Sequence, residues 1–102
     1  MSVIINLSIF PMTNEGQSLS PYVARVINVI KASGLEYRLG PMATAIEGEW
    51  AAVMEVVDAC YRELEPDCDR IYLNVTADCK RGRKNGISRK VTSVESQVIH
   101  SK

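Results

Sequence analysis

Residues 2–10 and 70–78 each alternate strictly between two faces, and that pattern limits the chain to folds built on two long strands. In the first stretch Val3, Ile5, Leu7 and Ile9 point one way, and Ile4, Asn6, Ser8 and Phe10 the other. In the second, Ile71, Leu73, Val75 and Ala77 oppose Tyr72, Asn74, Thr76 and Asp78. Pro11 cannot donate to a strand ladder and is expected to end the first strand. A polar loop over 13–17 follows.

Helical spacing fills the interval between the two strands. Ser20-Pro21 predicts a start, with Ser20 as the capping residue and proline in the first helical position. Val23, Val26, Ile27 and Ile30 form one apolar stripe, and Gly34 suits the left-handed residue after the end. The helix is expected over 21–33. A second stripe, Trp50, Val53, Met54, Val57, Cys60, Tyr61 and Leu64, predicts a helix over 49–64 with Trp50 in the core. Glu49 sits at its positive dipole end, and Pro66 stops it. Between the helices, 35–39 and 44–47 read as short strands joined at Gly40-Pro41, with Gly48 breaking the second. Ile87, Val91, Val94 and Val98 recur at helical spacing and predict a C-terminal helix over 88–98. Its valine and threonine content also fits a strand. Residues 99–102 are left as a tail.

The order strand, helix, strand, strand, helix, strand predicts an α+β ferredoxin-like βαββαβ sandwich in a single domain over 1–102. Two helices would cover one face of a four-stranded antiparallel sheet. The aliphatic sides of the first and last strands should face those helices. The other face carries Ile4, Asn6, Ser8, Tyr72, Asn74 and Thr76, a surface suited to contact between copies of the chain.

Charge narrows the partners. Lys and Arg number 12 and Asp and Glu 12, so no net positive field draws the chain to nucleic acid. No apolar run approaches the roughly 18–20 residues that span a bilayer. The opening MSVIINLSIF lacks the basic segment and cleavage site of a leader, so a cytoplasmic location is expected. Cys60, Cys68 and Cys79 form no paired metal-ligand spacing, and the single histidine, His100, falls in the tail. Neither a metal site nor cysteine catalysis is expected.

Several segments together resemble the small cytosolic thiamine-binding proteins of bacteria, archaea and fungi. They are Ser20-Pro21-Tyr22-Val23-Ala24, Ser33-Gly34-Leu35 and the run from Gly40-Pro41-Met42-Ala43-Thr44 through Ala45-Ile46-Glu47-Gly48-Glu49. Lys90-Val91 and Ser93-Val94-Glu95 are similar to that family's ending. The resemblance implies a ferredoxin-like fold and non-catalytic binding of thiamine or its hydroxymethylpyrimidine moiety, with no further cofactor. It also implies a homodimer, or a homotetramer of paired dimers.

An aminopyrimidine needs an acceptor for its amine, donors for its ring nitrogens and an apolar or aromatic wall, and the thiazolium cation favours carboxylates. Glu47 is the first choice for the amine, with Thr44 as the nearby hydroxyl. Glu49 reads as a helix-dipole partner. Ser20 and Ser33 serve as a helix cap and a local turn bond, or as ligand hydroxyls. Tyr22 offers a ring wall or core packing, and Asn6 a ligand or interface hydrogen bond. Trp50 is assigned to packing. The basic residues Lys80, Arg81, Arg83, Lys84, Arg89 and Lys90 read as a solvated loop, with phosphate binding as the functional alternative. Two other functions stay open: nucleic-acid or phosphorylated-ligand binding through the sheet face and basic loop, and a small enzyme using paired carboxylates.

Overall fold

A computed structural model describes residues 1–12 and 18–98. The 13–17 loop and the 99–102 tail with His100 lie outside the described residues. The elements in order are β1 (Ser2–Pro11), α1 (Ser20–Ala32), β2 (Glu36–Leu39), β3 (Thr44–Glu49), α2 (Trp50–Leu64), β4 (Ile71–Lys80) and α3 (Gly86–Glu95). A single 3-10 turn, Glu65–Asp67, follows α2. The strands form one antiparallel sheet in the order β2-β3-β1-β4. This is the ferredoxin-like βαββαβ arrangement with an added C-terminal helix.

The core lies between that sheet and the α1–α2 layer. Val3, Ile5, Leu7 and Ile9 of β1 and Ile46 of β3 meet Val26 and Ile30 of α1 and Val53, Val56, Cys60 and Leu64 of α2. Each such large aliphatic side chain contributes about 1.5–3 kcal/mol when fully buried. Arg25, in the middle of α1, ties that helix to the end of α2 and the turn after it. Its Nε and Nη1 donate to Glu63 Oε2 at 3.0 Å and Asp67 Oδ2 at 2.8 Å.

Several local expectations are corrected. Pro11 does end β1, but as its last paired residue, opposite Ile71. Ser20 is not the cap of α1. Leu19 holds that position without a side-chain bond, and the Ser20 N–H donates to Ser18 Oγ at 3.2 Å. Gly48 does not break β3: it pairs with Val3, and the side chains of Leu35 and Val53 come within 3.2 and 3.3 Å of where a Cβ would stand. The missing side chain admits the helix layer. Trp50 is 51 % exposed, because α2 presents Val53, Val56, Cys60 and Leu64 inward and Trp50 stands at its first position.

The aliphatic face of β4 is only half covered. Ile71 and Val75 pack on the core, whereas Leu73 is 40 % exposed. The reason is position: β4 is an edge strand, and α1 and α2 lie over β1 and β3. At the C-terminus the helical alternative holds from Gly86, and Val98 falls beyond its end.

Candidate functional site

The site is built where α3 crosses the sheet face that α1 and α2 leave bare. Alternation puts Ile4 and Asn6 of β1, Ala45 and Glu47 of β3, and Thr76 and Asp78 of β4 on that face. Register makes them neighbours: Ile4 stands opposite Glu47 and Asp78, and Asn6 opposite Ala45 and Thr76.

The loop after β4 turns the chain back. Asn85 adopts φ +54°, a left-handed conformation that asparagine tolerates better than most residues, and α3 starts at the next residue. Gly86 then descends onto the sheet. A Cβ there would lie 2.7 Å from Ile4 Cδ1 and 2.8 Å from Arg83 Cδ, so the close approach depends on glycine.

Glu47 fastens the helix. Its Oε2 accepts from the Gly86 N–H at 2.7 Å and its Oε1 from the Ile87 N–H at 3.0 Å. The residue is 7 % exposed. A negative charge among the first N–H groups of a helix satisfies orphan donors and complements the dipole. Further out, Ser88 Oγ donates to Glu36 Oε2 at 3.3 Å. On the other side Asp78 Oδ2 accepts from Arg83 Nη1 at 2.8 Å and pairs with Lys90 Nζ at 3.2 Å. The Arg83 bond, and then the Lys90 bond, hold the Asp78 carboxyl below the usual carboxylate range.

These contacts leave a groove of about 360 Å³ between α3 and the sheet. Ile4, Ala45, Ile87 and Val91 give it apolar walls, and Asn6, Thr76 and Asp78 supply polar groups. The groove can take a flat ring with a few directional hydrogen bonds.

The sequence-derived candidates do not converge. Asn6 and Glu47 share the open face, with Asn6 lining the groove. Thr44 lies on the opposite face of β3, opposite Leu7 and 6 % exposed. It lines a separate crevice of about 100 Å³ beside the β2–β3 turn. Ser20 lines an adjoining crevice at the start of α1. Ser33 is at the other end of that 13-residue helix, about 20 Å away, where its Oγ donates to the Ile30 carbonyl and accepts from the Leu35 N–H. Tyr22 packs against the core, with the Arg25 guanidinium 5.8 Å from its ring centre. Glu49 accepts from the Met1 ammonium at 3.1 Å.

Thr76, placed by the sequence on a face between copies, and Asp78, Gly86, Ile87 and Val91 are the site residues that sequence reasoning did not select. Asn85-Gly86 ahead of a helical stripe was the available signal, since that pair favours a sharp reversal. Nor is the basic segment simply solvated: the Arg83 side chain is 9 % exposed. Burial pushes the Cys60 thiol up to about 11. Among the described residues no three His, Cys, Asp or Glu side chains are grouped to hold a metal ion. No helix among them is long and apolar enough to cross a membrane.

A family model described as thiamine-binding protein matches residues 5–95. A UPF0045 protein of Staphylococcus xylosus is 31 % identical over 100 residues, covering 93 % of this chain and 94 % of its own. The UPF0045 protein YqgV of Bacillus subtilis is also 31 % identical over 100 residues, covering 93 % and 96 %. The solved structure of a Thermotoga maritima protein, assigned provisionally to thiamine biosynthesis or salvage, superimposes with a TM-score of 0.80 at 30 % identity, covering 92 % of this chain and 99 % of its own. A hypothetical protein of Methanocaldococcus jannaschii gives 0.82 at 26 % identity, covering 92 % and 96 %.

Proposed function

The chain belongs to the thiamine-binding protein family, and from that premise we propose that it binds thiamine or its hydroxymethylpyrimidine moiety, without turnover, in the groove beneath α3. The observation that carries this reading is the groove itself, where apolar walls flank Asn6 and Thr76 on adjacent strands. The Asn6 amide can accept from the exocyclic amine and donate to a ring nitrogen, and the Thr76 hydroxyl can do either. Asp78 offers its charge to the thiazolium. Glu47 holds α3 over the ring instead of receiving the amine, since it is buried under the helix start and does not line the groove. Ser20, Tyr22, Ser33 and Thr44 play no part in this site.

Binding without chemistry accords with the state of the candidate groups. Asp78, held ionised by Arg83 and Lys90, is a poor proton donor near neutral pH. The Cys60 thiol, pushed up to about 11, is a poor nucleophile. A cytoplasmic location and self-association as a homodimer or homotetramer belong to the same proposal.

Calorimetric titration with thiamine and with hydroxymethylpyrimidine tests it. Asn6→Leu should weaken binding by roughly tenfold, because two neutral hydrogen bonds of about 0.5–1.5 kcal/mol each are lost. Thr76→Val should cost about half as much free energy. Thr44→Val should leave affinity unchanged. Failure of the unmodified protein to bind either compound rejects the reading, and equal loss in Thr44→Val moves the site to the β2–β3 turn.

A further inference from the structure

Beside the thiamine groove lies a second cavity of about 860 Å³, between the β4–α3 loop and the outer side of α3. Its lining includes Lys80, Arg81, Arg83, Arg89 and Lys90, against a single carboxylate, Asp78. Asp78 is already occupied by Arg83 and Lys90. Among the described residues, Lys80, Arg81 and Arg89 meet no carboxylate within 4.0 Å. In a chain with no net charge overall, this is a local excess of positive charge around a concave surface.

A second observation points to an anion. Arg83 is the cation that is not free to swing in water: its side chain is 9 % exposed. Its Nη1 and Nη2 donate to the Asp78 carboxylate and carbonyl at 2.8 and 2.7 Å. Its Nε–H is buried with no acceptor, the single such side-chain atom among the described residues. A buried charged donor without a partner is costly, so the guanidinium at the cavity wall is left with hydrogen-bonding capacity that the protein itself does not satisfy.

We infer that this cavity binds the phosphate of a phosphorylated ligand, so that the protein takes the phosphate esters of the pyrimidine compound in preference to the free alcohol. The inference rests in part on the function proposed above, through one geometric link. Asp78 and Lys90 line both cavities, which places a ring in one and a phosphate in the other on either side of a shared wall. A small ligand is favoured over RNA because the cations surround a cavity instead of spreading over the sheet. The aromatic pair Phe10 and Tyr72, moreover, is stacked on itself at the far end of the strands, with centroids 5.4 Å apart.

Calorimetry at low salt compares thiamine, thiamine monophosphate, thiamine diphosphate, inorganic pyrophosphate and a short single-stranded RNA. The unmodified protein is compared with the Arg81→Gln, Arg89→Gln double variant. Those two side chains carry no internal ion pair, so the fold should survive, which circular dichroism checks. The esters should bind roughly ten- to a hundredfold more tightly than thiamine, with the gap closing in the double variant and thiamine affinity unmoved. Pyrophosphate alone should bind to the unmodified protein and lose that binding in the variant. If thiamine fails to bind while pyrophosphate binding depends on Arg81 and Arg89, the thiamine reading falls and the anion site stands. Equal affinity for thiamine and its esters overturns the inference. So does a preference that survives the double substitution, or binding of RNA without binding of pyrophosphate.

Discussion

The Gly86 N–H donates to Glu47 Oε2 at 2.7 Å, so a carboxylate near the end of β3 holds the start of a helix 39 residues further along the chain. The bond, with its companion from Ile87, is what converts an exposed sheet face into a groove. Without it α3 has few other anchors: Ile87 is its one buried large apolar residue.

Glu47→Gln should therefore loosen α3. The substitution removes the charge and turns an NH2 toward backbone donors. Hydrogen bonds to a charged group contribute about 1.5–3 kcal/mol, and each kcal/mol moves the midpoint of a domain this size by about 4–8 °C. We expect a loss toward the lower half of that range, since α3 is peripheral. Hydrogen exchange localises the effect: the Gly86 and Ile87 amides should lose protection while β1 keeps its own. Unchanged protection at both amides would contradict the assignment.

Asn85 carries the other constraint on α3. Its φ of +54° costs a typical side chain about 1–2 kcal/mol, and a β-branched one more. Asn85→Val should lower stability by about that amount, and Asn85→Gly should change it little. Chemical denaturation of the two variants measures the difference directly. Equal stability would mean that the loop finds another path.

Acid sensitivity follows from two aspartates. Asp78 is held below the usual carboxylate range first by Arg83, and Asp67 first by Arg25. Both carboxyls titrate at a lower pH in the folded chain than the roughly 3.9 of the unfolded one. Their contribution is thus fully present above about pH 4 and is lost as pH falls through the folded values. Melting midpoints should drop as pH falls below about 4, and the Asp67→Asn, Asp78→Asn double variant should show a shallower drop. A parallel acid limb in the variant would assign that sensitivity to other carboxylates.

Much of this architecture is legible in the alternation of β1 and β4, because period two and period 3.6 are imposed by backbone geometry and survive in any context. The ferredoxin-like order followed from those periods together with the glycine and proline turn signals between them. The site was less legible for the same reason. Thr44 and Glu47 are three residues apart, close in sequence but on opposite faces of one strand. Trp50 matched the helical stripe yet is half exposed, a fact set by where α2 sits and not by its own spacing. The role of Glu47 depends on an N–H 39 residues away, and no local pattern encodes that partner.

The last prediction concerns β4. Its ten residues pair with β1 along one edge, and among the described residues no strand pairs with the other. An open edge of that length is a template for another strand. Tyr72 and Leu73 are 46 % and 40 % exposed and point to opposite faces, so a neighbour added there would shield apolar surface on both sides. The chain has no net charge to keep two copies apart. We expect copies to associate through β4, burying about 800 Å² each, as a standard interface does. Light scattering at micromolar concentration should give a mass at least twice 11.3 kDa. Leu73→Lys tests the side facing the α1–α2 layer and Asn74→Lys the open face. Whichever substitution returns the monomer mass identifies the surface that the second copy covers, and loss in both means that the edge itself is paired. A monomer mass for the unmodified protein would leave β4 an exposed edge, and this prediction would fail.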